Sequence, residues 1–226
     1  ILDLYPEDQK LEAVKQKNNI GDTVMHNAAA NPGSLSIILD LYPEDQKLEA
    51  VKQKNNIGDT VMHNAAANPG SLSIILDLYP EDQKLEAVKQ KNTWDCTIMH
   101  RAASHPESLK TILDSLPENQ KLEAVKQKNN IGDTVLHYAA NHPESLKTIL
   151  DLYPEDQKLE AVKQKVEKGF TVLNYAARHP ESLKTILDSL PEDQKLVAVQ
   201  QKDDRGDTAM HNAADNPLSL KTILES

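Results

Sequence analysis

The histidines and the recurrent acidic pairs are the side chains of this sequence whose chemistry could reach beyond packing. Imidazole titrates near neutrality and ligates metals, so His26, His63, His100, His137 and His211 are the natural place to look for acid–base or metal chemistry. Their spacing argues against both. Each occupies the same place in a repeated phrase, and translation from one repeat to the next holds like groups apart, whereas catalysis needs unlike groups converging within hydrogen-bond reach. No zinc-type Cys/His spacing, Gly-rich phosphate loop, nucleophile elbow or kinase signature occurs. Acid pairs such as Glu7-Asp8 fall at helix starts, where they complement the helix dipole. The sequence therefore predicts no catalytic, cofactor-binding or metal site and no small-molecule substrate.

The phrase that carries these residues opens with Ile at 1, 38, 75, 112, 149, 186 and 223, a spacing of 37. Self-similarity at that length signals stacked repeats, in which each unit buries its apolar stripe only against its neighbours. The reading is one array over 1–226: a partial unit 1–17, units 18–54, 55–91, 92–128, 129–165 and 166–202, and a partial unit 203–226. Residues 1–55 are identical to 38–92, the mark of recent duplication or deliberate construction. Neither end carries a polar capping unit, so a longer parent protein is expected.

Within one unit the chain chemistry predicts three helices. Gly21 permits a tight turn with positive φ, after which Thr23 caps a helix over Val24-Met25-His26-Asn27-Ala28-Ala29. The second helix has Asn31 as N-cap and Pro32 at N1, with Leu35, Ile38 and Leu39 forming an apolar stripe. The third follows Pro43, with acids in its first turn, lysines in its last, and Leu48 and Val51 as its apolar edge. All twelve prolines stand at helix starts and no strand-like alternation of useful length appears. His105, His142 and His179, which stand where the first units have Asn31 and Asn68, are read as capping or loop residues of the second helix, the alternative being a row of partner contacts.

The string Gly21-Asp22-Thr23-Val24-Met25-His26-Asn27-Ala28-Ala29, recurring near Gly58, Gly132 and Gly206, resembles the G-x-T-P-L-H-x-A-A core of ankyrin repeats. The following Ser-Leu-Lys-Thr-Ile-Leu looks like the second ankyrin helix. The unit exceeds the usual 33 residues by four, which fall where the family has its finger and here read as a helix. The resemblance implies an all-α, right-handed solenoid of helix–turn–helix units with an extra short helix. It also implies that the Thr/His pairs brace the turn: Thr23 and His26, Thr60 and His63, Thr97 and His100, Thr134 and His137, Thr208 and His211, with Thr171 and Asn174 departing from the pattern. A second departure is Asp95, which replaces the turn Gly. Both changes are expected to soften the array locally.

A protein-binding scaffold without catalysis is the function this implies, the turn tips and first helices lining a concave face. Trp94, Arg101, Tyr138, Lys168, Phe170, Tyr175 and Arg178 interrupt otherwise repetitive turns and first helices, and Trp, Tyr and Arg are enriched at binding hot spots. Tyr138 and Tyr175 equally suit a role filling the seam between units. A net charge of −10 excludes a nucleic-acid grip, which needs a basic face, and points to a complementary, basic protein partner. No apolar run of membrane-spanning length occurs, so no membrane insertion is expected. The single Cys96 and the lack of an N-glycosylation sequon or a basic-apolar leader fit the cytoplasm, or a host cytosol for a secreted bacterial effector. The other readings are a targeting arm of a larger enzyme and an architectural spacer. Arg205-Gly206-Asp207 spells a cell-adhesion tripeptide but aligns with Ile20-Gly21-Asp22, so it is read as the repeat's turn.

Overall fold

The computed structural model describes residues 4–225; Ile1 and Ser226, which bound the two partial units, lie outside them. Helices follow one another as α1 (Glu7–Lys15), α2 (Val24–Ala28), α3 (Pro32–Leu39), α4 (Glu44–Val51), α5 (Val61–Asn64), α6 (Pro69–Asp77), α7 (Lys84–Val88), α8 (Ile98–Ala102) and α9 (Pro106–Asp114). They continue as α10 (Glu118–Val125), α11 (Val135–Ala139), α12 (Pro143–Leu150), α13 (Glu155–Lys163), α14 (Val172–Ala176), α15 (Pro180–Asp188), α16 (Glu192–Val199), α17 (Ala209–Ala213) and α18 (Pro217–Leu224). No strand forms among the described residues; isolated antiparallel bridges such as Lys17 to Thr23 only pinch the turns. The fold class is all-α, three helices to a repeat.

The helix starts obey their prolines. Asn31 Oδ1 accepts the Ser34 amide at 2.9 Å while Pro32 occupies N1, and Asn68 and Asn216 cap α6 and α18 in the same way. His142 and His179 occupy the N-cap position of α12 and α15 but make no capping bond. Of the two roles expected, cap or loop residue, they take the second: their side chains do not make the Asx-like bond that the asparagines make.

The chain divides into two compact units, Ile1–Ala102 with Glu107–Pro117, and Ala103–Pro106 with Glu118–Ser226. In the first, α2 packs on α3 and α5, α3 on α6, and α5 on α8. In the second, α11, α14 and α17 follow one another as neighbours, as do α12, α15 and α18, and α13 packs on α16. Helices of four or five residues are too short to persist alone, so burial holds them. Met25, Leu35, Met62, Leu72 and Ile75 in the first unit, and Leu136 and Leu146 in the second, are fully buried. Each such side chain contributes about 1.5–3 kcal/mol.

The third helices are more lightly anchored. In α4, Ala50 and Val51 are the buried residues, whereas Leu48, expected on the apolar edge, is only half-buried. Tyr42, Tyr79 and Tyr153 sink beside these helices instead, and burial pushes the Tyr79 and Tyr153 hydroxyls up to about 12. Ser71, Ser108, Ser145, Ser182 and Ser219 repeat one further feature, a fully buried hydroxyl without a hydrogen-bond partner on the second helix.

Candidate functional site

The turn before each first helix is built on an acceptor that the sequence repeats. Asn18 Oδ1 takes the amides of Ile20 and Asp22, both at 3.0 Å, and Asn55, Asn92, Asn129 and Asp203 do the same in their own repeats. This Asx cradle folds the turn tip and places the next residue left-handed: Gly21 has φ +80, and Asp95, in the same place, φ 57. Adjacent tips are then laced together, the Asn56 amide donating to the Ile20 carbonyl at 3.0 Å and the Thr93 amide to that of Ile57 at 2.9 Å. Gly21 serves this lacing as well, because a Cβ there would stand 2.7 Å from the Asn56 nitrogen.

Val166 stands where the other repeats have the acceptor. Without it the tip closes as a 3-10 turn over Glu167–Gly169, with Lys168 itself at φ 65 and its side chain exposed. Val166 carried the signal for this departure in the sequence, as the only apolar residue at the cradle position.

The Thr/His pairs form a reciprocal box. At Thr60 the backbone amide donates to His63 Nδ1 at 3.2 Å and the hydroxyl donates to the same nitrogen at 2.9 Å. With Nδ1 accepting, the proton sits on Nε2, which reaches the Cys96 carbonyl of the next repeat at 3.2 Å. His26 makes the same reach to the Asp59 carbonyl, at 3.3 Å, so the imidazole joins its own turn to the following one. Burial lowers the pKa of both rings, that of His63 to about 4. Thr97 with His100, Thr134 with His137, and Thr208 with His211 repeat the box, His211 being exposed. Among the described residues no His/Cys/Asp/Glu cluster could hold a metal ion.

Asn174 keeps half of this device. Its Oδ1 accepts the Thr171 amide and hydroxyl, both at 2.8 Å, yet its Nδ2, on a side chain only 8% exposed, has no hydrogen-bond partner. The shorter amide satisfies the turn but not the next repeat. What this position lacks is a tie between repeats.

In the first unit, Trp94 stands at the turn tip, 48% exposed. Arg101, on the helix α8 that follows, lays its guanidinium on Asp59 of the preceding repeat at 2.6 Å. Asp59 is buried and also accepts from Asn92 Nδ2 at 2.8 Å, so it is held by two later residues. Arg101 thus fastens repeats together while one edge of it stays accessible.

The second unit gathers the remaining candidates. Tyr138 and Tyr175 occupy the position of Arg101 in their repeats and are 38% and 39% exposed. Tyr175 meets the His137 ring edge-on at 5.7 Å and the Phe170 ring at 5.9 Å, leaving Phe170 half-buried. The Tyr138 hydroxyl accepts from Asn129 Nδ2 at 3.1 Å. Burial raises the pKa of Tyr175, helped by the charges of Asp133 and Glu167, and burial likewise raises that of Asp133. Arg178 is exposed and pairs with Asp215 at 3.2 Å. Phe170, Asn174, Tyr175, Arg178, His179 and Asn212 line an open cleft of about 340 Å³ together with Asn141. These groups can stack, donate hydrogen bonds and pair with charge. They include no nucleophile set beside a base.

At Arg205-Gly206-Asp207 the structure shows the ordinary repeat turn, with Asp203 Oδ1 accepting the amides of Arg205 and Asp207 and Gly206 at φ +88.

No protein-family model matches this sequence, and no curated protein does either. Among solved structures it is similar to the ankyrin repeat domain of Bcl-3, a member of the IκB protein family. The superposition has a TM-score of 0.64 at 20% sequence identity and covers 91% of this chain and 86% of that one. At that coverage the likeness is one of fold, and the chain has the ankyrin-repeat fold.

Proposed function

We propose that this chain is a protein-binding scaffold whose recognition surface is made of its turn tips and first helices. The observation that carries the reading is the placement of Trp94, Tyr138 and Tyr175, large aromatics left more than a third exposed on elements whose other positions repeat with little change. Exposed aromatics of this kind are anchors that bury much area at small entropic cost. The similar domain of Bcl-3, a member of the IκB protein family, shares the ankyrin-repeat fold on which this reading rests. The net charge of −10 favours fast encounter with a basic partner.

The chain works without chemistry of its own on this reading: the five histidines of the Thr/His pairs are committed to their boxes, and the exposed groups hold and orient rather than react. We place it in the cytoplasm, where its one cysteine, Cys96, would stay a buried thiol outside any disulfide; among the described residues no helix is long and apolar enough to cross a membrane. The test is capture of the natural partner on the full chain followed by calorimetric titration. Trp94→Ala with Phe170→Ala is expected to weaken binding at least about tenfold, near 1.4 kcal/mol, with helicity unchanged. The equivalent changes at Ile20 and Ile57 are expected to matter less. A double variant that binds like the parent rejects this surface.

A further inference from the structure

Two amide donors in the cleft of the second unit lack the partners that their counterparts have elsewhere. Asn174 stands where His26 and His63 reach the carbonyl of the following repeat, and its Nδ2 reaches nothing. Asn212 stands where Asn64 donates to the carbonyl of His26 at 3.3 Å, and its Nδ2, also buried, is likewise without a partner. Both line the same cleft. A buried donor with no acceptor is uncommon in a folded protein, and two sharing one opening point to an acceptor that arrives from outside.

The rest of the lining defines that acceptor. Arg178 stands at the cleft, its bond to Asp215 running between two exposed groups, a kind of ion pair that exchanges readily for another. His179 makes no capping bond, which leaves its ring free to donate. Phe170 and Tyr175 form an edge-to-face wall beside these groups. Two amides, a guanidinium and an imidazole favour a carboxylate over a cation, and the aromatic wall favours an apolar stem or neighbour.

We propose that the cleft bounded by Phe170, Asn174, Tyr175, Arg178, His179 and Asn212 binds an aspartate or glutamate side chain presented by a segment of the partner protein. This rests on the scaffold reading and gives it one specificity contact. In a chain of net charge −10, most of the surface repels a carboxylate. Admitting one only where donors wait for it fixes register, because a displaced segment would set the same charge against acidic surface.

The test is selection of random dodecapeptides displayed on phage against the immobilised full chain, followed by fluorescence titration of the recovered peptides. Peptides sharing Asp or Glu beside an apolar residue are expected, with affinity lost at least tenfold in Asn174→His and in Arg178→Ala. Asn174→His installs the residue found in the other repeats and Arg178 is exposed, so both variants are expected to fold, with circular dichroism as the control. Replacing the peptide's acidic residue by Asn or Gln should cost a similar factor. Recovered peptides that share no Asp or Glu, or that are insensitive to both variants, overturn the site. If such peptides lose affinity with Trp94→Ala instead, the scaffold reading survives and only this cleft is rejected. Recovery of no peptide also overturns the site, while partner capture still judges the scaffold separately.

Discussion

Acid should loosen this fold through its box histidines, and His63 gives the effect a magnitude. Its ring is 2% exposed, its Nδ1 accepts from both the amide and the hydroxyl of Thr60, and burial is the main cause of a pKa near 4 against 6.5 when exposed. A proton on Nδ1 would set one donor against another. The unfolded chain therefore binds the proton more tightly, and the contribution is fully present above 6.5 and drains away as pH falls toward 4. Linkage over that interval gives a loss of about 2 kcal/mol between pH 7 and pH 5 from this one ring. His26 shifts in the same direction and adds to it, while Asp133, whose pKa burial raises, works the opposite way in more acid solution. Urea unfolding at pH 7 and pH 5 of the parent and of His63→Asn is the assay, since Asn174 shows that asparagine can sustain the box. The parent is expected to lose about 2 kcal/mol more than the variant over this interval. Parallel losses would refute the argument by showing that His63 titrates alike in both states.

Four other substitutions separate forces within the repeats, each read by chemical unfolding at pH 7. Gly206→Ala is expected to cost about 1–2 kcal/mol for the left-handed backbone alone, because nothing lies within 4 Å of the added Cβ. Gly21→Ala is expected to cost more, since its Cβ would meet the Asn56 backbone; equal costs would contradict the role given to lacing. Ser145→Ala removes a buried hydroxyl with no partner and is expected to leave stability unchanged or raise it by about 1 kcal/mol, whereas a clear loss would reveal a bond to that hydroxyl. Arg101→Ala strips a buried carboxylate of its cation and is expected to cost about 1–3 kcal/mol, with Asp59→Asn recovering part of the loss.

Much of this architecture is legible in the sequence because proline and the Thr/His phrase act locally. Each Pro fixes a helix start by its own ring, and each box closes over three residues, so neither depends on distant context. What escapes a linear reading acts between repeats. Arg101 and Asp59 are 42 positions apart, and only folding shows that the side chain resembling a partner anchor is already fastening a turn. The orphaned donors of Asn174 and Asn212 are invisible for the same reason, because a missing bond can be seen only beside its satisfied counterparts. His142 and His179 inherit the position of a capping asparagine without its bond, and position along the chain alone does not separate a cap from a loop residue. Val166 was readable, since a side chain without an acceptor cannot cradle the turn, but repetition elsewhere masked its importance. The two compact units leave no mark in composition, as the repeat runs through their division unbroken.

Hydrogen exchange of the full chain, alone and with its captured partner, tests the central claim most directly. Binding through turn tips and first helices should slow exchange in residues 93–104, 130–142 and 166–179 and leave α10 and α13 unchanged. Protection confined to α10, α13 and the other third helices, with the turn tips exchanging as in the free protein, would contradict it.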